Sequence, residues 1–245
     1  MNWIEPDWPA PGNVRALSTT RDGGLSEGVF AGLNLGAHVG DEPARVEANR
    51  ARLQQAAQIP GPLNWLNQVH GIAVHRVGSD YERAPDADAA CAHEAGQACI
   101  VMTADCLPVL FCDRAGTIVA AAHAGWRGLK EGVLEASIAA MGCEPGEILA
   151  WLGPAIGPTA FEVGGEVREA FMAEQSEAAT AFVSSSNEGK WLADIYQLAR
   201  LRLVRAGVTA VYGGEFCTFS DGEQFYSYRR DGQTGRMASI IWLAE

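Results

Sequence analysis

Cys99-Ile-Val-Met-Thr-Ala-Asp-Cys-Leu-Pro-Val-Leu-Phe-Cys112, followed after a short polar gap by Thr117-Ile-Val-Ala-Ala-Ala-His-Ala-Gly125, decides how this chain is read. It holds three apolar runs, Cys99 to Thr103, Leu107 to Cys112 and Thr117 to Ala122, each bounded by polar or turn residues. Such runs are buried strands, so the middle of the chain is β-rich. Upstream, Trp65 to Val69 and Ile72 to Val77 read as short strands separated by His70-Gly71, which places His70 at a bend. Val14 to Thr20 is a further strand. Arg21-Asp-Gly-Gly24 then opens a Gly-rich loop running to Gly40, long enough to be a lid or pocket wall. Asp41 starts a helix that ends before Pro60, with Val46, Leu53 and Ala57 on its buried face and Arg45, Asn49 and Arg50 elsewhere.

Downstream, helices are expected over Leu129 to Met141, Val167 to Glu174 and Asp194 to Ala206, the last capped by Asp194. Strands are expected near Ile148 to Leu152, Thr209 to Tyr212 and Met237 to Trp242. Strands and helices are interleaved without the regular alternation of a doubly wound sheet or an eightfold barrel. The expected fold class is α+β, with mixed β-sheets flanked by helices. No linker-like stretch divides the chain, so residues 1–245 are read as a single domain.

The 245 residues are 48% apolar, and 30 acidic against 18 basic residues leave a formal net charge of −12. That balance excludes a broad basic face for nucleic acid but leaves room for a small anion held by one or two Arg. The start of the chain, Met1-Asn-Trp-Ile-Glu-Pro-Asp-Trp-Pro9, has neither the basic residues nor the apolar run of a signal peptide, and no later apolar stretch is long enough to span a bilayer. The six Cys (91, 99, 106, 112, 143 and 217) lack the spacing of a disulfide framework and read as thiols, mostly in the core. A cytoplasmic protein is expected.

His70, Cys106 and His123 share one feature: each lies where a predicted strand gives way to a bend. Separations of 36 and 17 residues exclude a local metal loop, and on spacing alone three buried, hydrogen-bonded side chains fit as well. Chemically, two imidazoles and a thiolate with a fourth position open form a catalytic zinc set, in which the metal lowers the pKa of water towards about 7.

Leu66-Asn-Gln-Val-His-Gly71, Val101-Met-Thr-Ala-Asp-Cys-Leu-Pro108 and Ala120-Ala-Ala-His-Ala-Gly-Trp-Arg-Gly128 resemble, in order and nearly letter for letter, the laccase-domain family. Its members are also called polyphenol oxidases, purine nucleoside phosphorylases or peptidoglycan editing factors. The resemblance continues through Thr19-Thr-Arg-Asp-Gly-Gly24, Leu33-Asn-Leu-Gly36, Leu152-Gly-Pro-Ala-Ile-Gly157 and Tyr228-Arg-Arg-Asp-Gly-Gln-Thr-Gly-Arg236. It implies a zinc or copper ion held by His70, Cys106 and His123. Asp88-Ala-Ala-Cys-Ala92 departs from the family's apolar-Thr pairing and is read as a pocket-edge loop.

The five His (38, 70, 75, 93 and 123) include no His-X-His pair, so a multicopper cluster lacks its imidazoles. A single copper centre for polyphenol oxidation would add Met102 as a weak axial ligand, although Met102 also reads as plain core. The resemblance implies phosphorolysis of adenosine, inosine and methylthioadenosine, with adenosine deamination as a companion activity. Deamination calls for an acidic proton carrier, and Asp105 is the nearest, unless it only braces the bend. Phosphorolysis calls for a bound phosphate, and Arg127, where a strand runs towards a helix, is the first choice for it. Arg50, Arg229 and Arg230 are weaker choices. Gln68 and Asn34 are candidates for base or ribose contacts, and Trp126 either stacks on a purine or packs. A metal-free alternative makes Cys106 a nucleophile activated by His70 or His123, in a hydrolase or amidase that edits peptidoglycan precursors.

Overall fold

The computed structural model describes residues 1–78 and 84–245. In chain order the strands are β1 (Trp3–Ile4), β2 (Val14–Thr19), β3 (Val74–Arg76), β4 (Ala89–Ala92), β5 (Ala98–Thr103), β6 (Leu107–Asp113), β7 (Val119–Ala124), β8 (Ile148–Leu152), β9 (Glu162–Gly164), β10 (Phe182–Ser184), β11 (Lys190–Ala193), β12 (Ala210–Gly213) and β13 (Met237–Leu243). The helices are α1 (Pro43–Ala56), α2 (Trp126–Glu131), α3 (Val133–Met141), α4 (Gly165–Glu174), α5 (Ile195–Arg205) and α6 (Tyr228–Asp231). The fold is α+β with mixed sheets flanked by helices, as the interleaved pattern predicts.

One sheet has the order β12-β8-β6-β7-β4-β3, parallel at its two outer pairs and antiparallel between. A second, antiparallel sheet has the order β1-β2-β13-β5. The two-residue period of a strand explains how they stack. Leu107, Val109 and Phe111 of β6 face a core shared with α3, α4 and α5, while Leu110 and Cys112 face Val101 and Ile241 of the second sheet. Leu17, Ile100 and Ile240, on the far side of that sheet, pack with Leu53 of α1 and with Leu33 and Leu35 of the Gly-rich loop. The layers therefore run helix, sheet, sheet, helices. Both faces of β4 to β8 are covered, which is why those strands read as continuous apolar runs rather than alternating ones. A small third sheet, β10-β11-β9, flanks α4.

Four local expectations change. Trp65 to Val69 is not a strand; it carries one isolated bridge, Asn67 to Asp86, and the residue before it, Asn64, bridges to Cys99. The helix expected over Leu129 to Met141 is two, because the chain enters α2 at Trp126 and turns at Gly132, whose φ of 106° suits glycine. Asn49 belongs to the buried face of α1: its carboxamide accepts from Leu25 N and donates to Ser26 Oγ and Asn34 O, pinning the Gly-rich loop. Ala89 to Ala92 is the buried strand β4 and not a loop. Its small residues carry little β propensity, and burial against β7 decides their conformation. No helix among the described residues is long and apolar enough to cross a membrane.

Candidate metal centre

The site lies at one end of the six-stranded sheet, and strand order explains its assembly. β7 runs between β6 and β4, with Ala124 opposite Leu107 and Ala122 opposite Ala89. His123 therefore has Cys106, just before β6, on one side and Asp88, just before β4, on the other. His70 comes from the loop before β3. The Asp88 carboxylate holds that loop in place by accepting the backbone N–H groups of Val69, His70 and Gly71 at 3.1, 2.9 and 2.7 Å. The same carboxylate accepts from His123 Nδ1 at 2.8 Å. One buried carboxylate thus positions two of the three predicted ligands, and sequence reading missed it.

The donor atoms of His70, Cys106 and His123 lie within 4.8 Å of one another. The two imidazole rings meet edge to face, with centroids 4.8 Å apart. Gly125 leaves room for the cluster: a Cβ there would stand 3.1 Å from both Cys106 Sγ and His70 Cδ2, close enough to crowd both side chains. Among the described residues only Gln58, His70 and Asp105 combine a side chain with positive φ, so two of the three unusual backbones are at this site. Such conformations persist where surrounding bonds over-determine them. Here the bonds are those of Asp88 to the His70 backbone and of Asp105 to its neighbours.

Burial pushes the Cys106 thiol up, but the charge and hydrogen bond of His123 and the hydrogen bond of His70 outweigh it, leaving the thiol below its usual range. Burial lowers His123, while the Cys106 thiolate and the Asp88 carboxylate raise it further than burial lowers it. Each group thus favours the charged form of the other, and a metal bound at Nε2 would take the place of the imidazolium proton. Two imidazoles and a thiolate fit a borderline-soft divalent ion, and the Asp88 bond to Nδ1 leaves His123 Nε2 as the ligand atom.

Two cavities meet at the trio. The first, about 240 Å³, has apolar walls from Trp126, Ile156, Phe161 and Ile195, with Asp105, Arg127 and Arg229 also lining it. The second, about 220 Å³, is lined by His38, Gln68, Met102, His123 and Arg236. His70, Cys106 and Tyr228 line both.

Other predicted residues lie where their bonds hold structure together. Both Asp105 oxygens are engaged, one by Thr218 Oγ1 at 2.6 Å and one by Arg229 N at 2.7 Å, and they brace the turn into Cys106. Gln68 pairs its amide with both backbone groups of Met102, at 2.8 and 2.7 Å. Met102 is buried in β5, its sulfur against Arg50. Arg50 donates twice to Leu35 O and stacks on Trp65. Asn34 is fully buried in the Gly-rich loop, bonded to Gly36, Asp41 and Arg236. Arg230 donates to Thr218, Phe219 and Phe225 and pairs with Asp231. Arg127 is exposed, lies 5.1 Å from the Trp126 ring and has no ion-pair partner among the described residues. His38, Tyr228 and Arg236 were not singled out from sequence. Arg236 closes a stretch quoted for the resemblance, which was the one signal pointing to it.

Residues 15–244 match the family model described as multi-copper polyphenol oxidoreductase laccase. A Pseudomonas aeruginosa protein named purine nucleoside phosphorylase is 59% identical over 99% of both chains. An Escherichia coli protein of the same name is 57% identical over 98% of both. The crystal structure of a Neisseria meningitidis protein, 56% identical, superposes with a TM-score of 0.96 over 100% of each chain.

Proposed function

This chain belongs to the multi-copper polyphenol oxidoreductase laccase family, and from that premise we propose that it is a metal-dependent purine nucleoside phosphorylase whose reaction centre is the His70, Cys106 and His123 trio. The observation that carries the reading is the convergence of these three side chains beside two cavities, in a chain with near full-length relatives of that name. Residues 1–245 act as one domain, in the cytoplasm, where its six free thiols stay reduced.

Zinc is the metal that this donor set favours, with copper as the competitor, and when bound it supplies a Lewis acid at the open position. The chain's own residues do the rest. Asp88 fixes the tautomer of His123 and the backbone of His70. Trp126, Phe161 and Ile156 offer the flat apolar walls that suit a purine. Arg127 and Arg229 meet the polar edges of the substrate, and Gln68, Asn34 and Arg50 support the cavity through the backbone they hold. In the reaction a phosphate oxygen bonds to the anomeric carbon as its bond to N9 breaks. The electron pair goes to N9 with the proton of hydrogen phosphate, giving ribose 1-phosphate and free purine. Adenosine deamination is the companion activity, with Asp105, both of whose oxygens are held by Thr218 and Arg229, bracing the turn that presents Cys106.

A second reading rests on the thiolate and imidazolium character of Cys106 and His123, which also describes a cysteine hydrolase dyad. Incubating protein of defined metal content with adenosine, with and without phosphate, separates the readings. Adenine and ribose 1-phosphate that appear only with phosphate support phosphorolysis, and inosine formed without it supports deamination. Neither product from metal-loaded protein would sink the proposal.

A further inference from the structure

Building on the phosphorylase reading, we propose that the smaller cavity is an oxyanion subsite for inorganic phosphate, with the Arg236 guanidinium as its anchor and His38 as a second donor at its rim. Charge favours the smaller cavity. In a chain of net charge −12, this cavity is lined by His38, His70, His123 and Arg236 and by no carboxylate, and the Cys106 thiol that it shares with the larger cavity is one of the three groups that would hold the metal. The larger cavity contains Asp105, which repels an anion.

Arg236 also has hydrogen-bonding capacity to spare. Its Nη1 donates to Thr234 O and Gly235 O, both at 3.0 Å. Nε and Nη2 have no partner, and no carboxylate pairs with the guanidinium, among the described residues. Burial depresses its pKa, while Cys106 and Asp105 act against that, and a guanidinium stays charged regardless. A half-buried cation lacking its counter-ion is unfavourable until an anion arrives. The free edge of the fork matches two oxygens of a phosphate.

Much of the surrounding structure holds this one residue. Arg236 N donates to Asn34 Oδ1 at 2.9 Å, and Leu35 N donates to Arg236 O at 3.1 Å. Its stem lies over Gly36, where a Cβ would come within 2.7 Å of Arg236 Cγ. The Gly-rich loop, expected to be a lid or wall, is by this geometry the bed on which Arg236 rests. By contrast Arg50 and Arg230 are committed to backbone carbonyls, and Arg127 lies with the aromatic walls.

Reaction geometry agrees. Displacement at the anomeric carbon needs the phosphate oxygen opposite the departing base. Two cavities that share His70 and Cys106 provide separate compartments, with the base in the aromatic one. Phosphate on Arg127 would approach from the side of the leaving group.

The test uses metal-loaded protein and inorganic phosphate, with binding followed by calorimetry and phosphorus line width, and with phosphorolysis measured in parallel. Arg236→Gln should weaken phosphate binding and raise the phosphate KM about tenfold or more, as expected for loss of a charge-assisted pair. Its nucleoside KM should stay within about twofold, since each tenfold needs 1.4 kcal/mol and no base contact is removed. Arg127→Ala should do the reverse. His38→Ala and Gly36→Ala, the latter displacing the arginine, should both weaken phosphate binding, and they decide the matter if Arg236→Gln does not fold by thermal melt. Wild-type phosphate affinity in folded Arg236→Gln, or in both other variants, overturns the assignment. Phosphorolysis with an unchanged phosphate KM in Arg236→Gln defeats the subsite alone. Phosphate binding that depends on Arg236 without any ribose 1-phosphate from wild type defeats the phosphorylase reading alone.

Discussion

Asp88 Oδ1 accepts from His123 Nδ1 at 2.8 Å and from the backbone N–H of His70 at 2.9 Å, so a single oxygen atom couples two residues 53 positions apart in sequence. Asp88→Asn should fold and yet lose about 10- to 100-fold in metal affinity, the usual effect of removing a carboxylate behind a ligating imidazole. Competition with a graded chelator reads this directly, and unchanged affinity would show that Asp88 serves the fold alone. Asp88→Ala should also lower stability, because it leaves three backbone N–H groups without their acceptor at about 1–3 kcal/mol each.

Gly125 has φ −62° and ψ 156°, a backbone that alanine adopts freely. Any effect of Gly125→Ala is therefore steric, from the contacts at 3.1 Å with Cys106 and His70. We expect metal content after dialysis to fall well below that of wild type while the far-UV spectrum is unchanged. Full retention would mean that the trio tolerates the methyl group by moving.

Removing the metal separates the two catalytic readings. Chelated protein should lose phosphorolysis and regain it on addition of zinc, and Cys106→Ala should be inactive in both states. Full activity in metal-free protein would instead favour the thiol as nucleophile.

Burial pushes the Cys91 thiol up to about 11 and the Cys112 thiol up to about 12, against about 8.5 for a free thiol. A group whose folded pKa is raised contributes stability that is complete below the unfolded value and lost as pH rises towards the folded one. Urea midpoints should therefore fall as pH rises from about 8.5 towards 11. Cys91→Ala and Cys112→Ala should each flatten that slope, whatever they do to stability at neutral pH. A slope equal to wild type in both would exclude these thiols as its cause.

Asn49→Ala removes a fully buried carboxamide that serves Leu25, Ser26 and Asn34. The groups left unpaired should cost about 2–4 kcal/mol in total. If the Gly-rich loop is the bed of Arg236, proteolysis should then begin within residues 21–40. Cleavage elsewhere first would uncouple Asn49 from the loop.

The apolar runs around Cys106 and His123 were legible because strands covered on both faces leave a continuous signature, and the trio because the motifs that carry it resemble the laccase-domain family, position at strand ends fitting three buried side chains as well. Asp88 escaped because its strand is three alanines and a cysteine, residues with no marked preference. Burial between β3 and β7 is a property of the assembled sheet and leaves no periodic trace. Asn49 escaped because a polar residue on a helix is ordinarily read as solvent-facing, and only the loop lying over α1 reverses that. Arg236 is separated by 113 residues from His123, and no local pattern announces that the cavity they line is the same one.

β13 comes after every other strand in sequence, yet it fills the slot between β2 and β5. During synthesis both of those strands must wait with an open edge until residues 237–243 have been made, a state prone to pairing with the wrong neighbour. Arg236 immediately precedes that strand, so its seat on Gly36 forms only when β13 locks in. The residue that faces the trio across the smaller cavity is thus put in place by the last strand of the chain to be made.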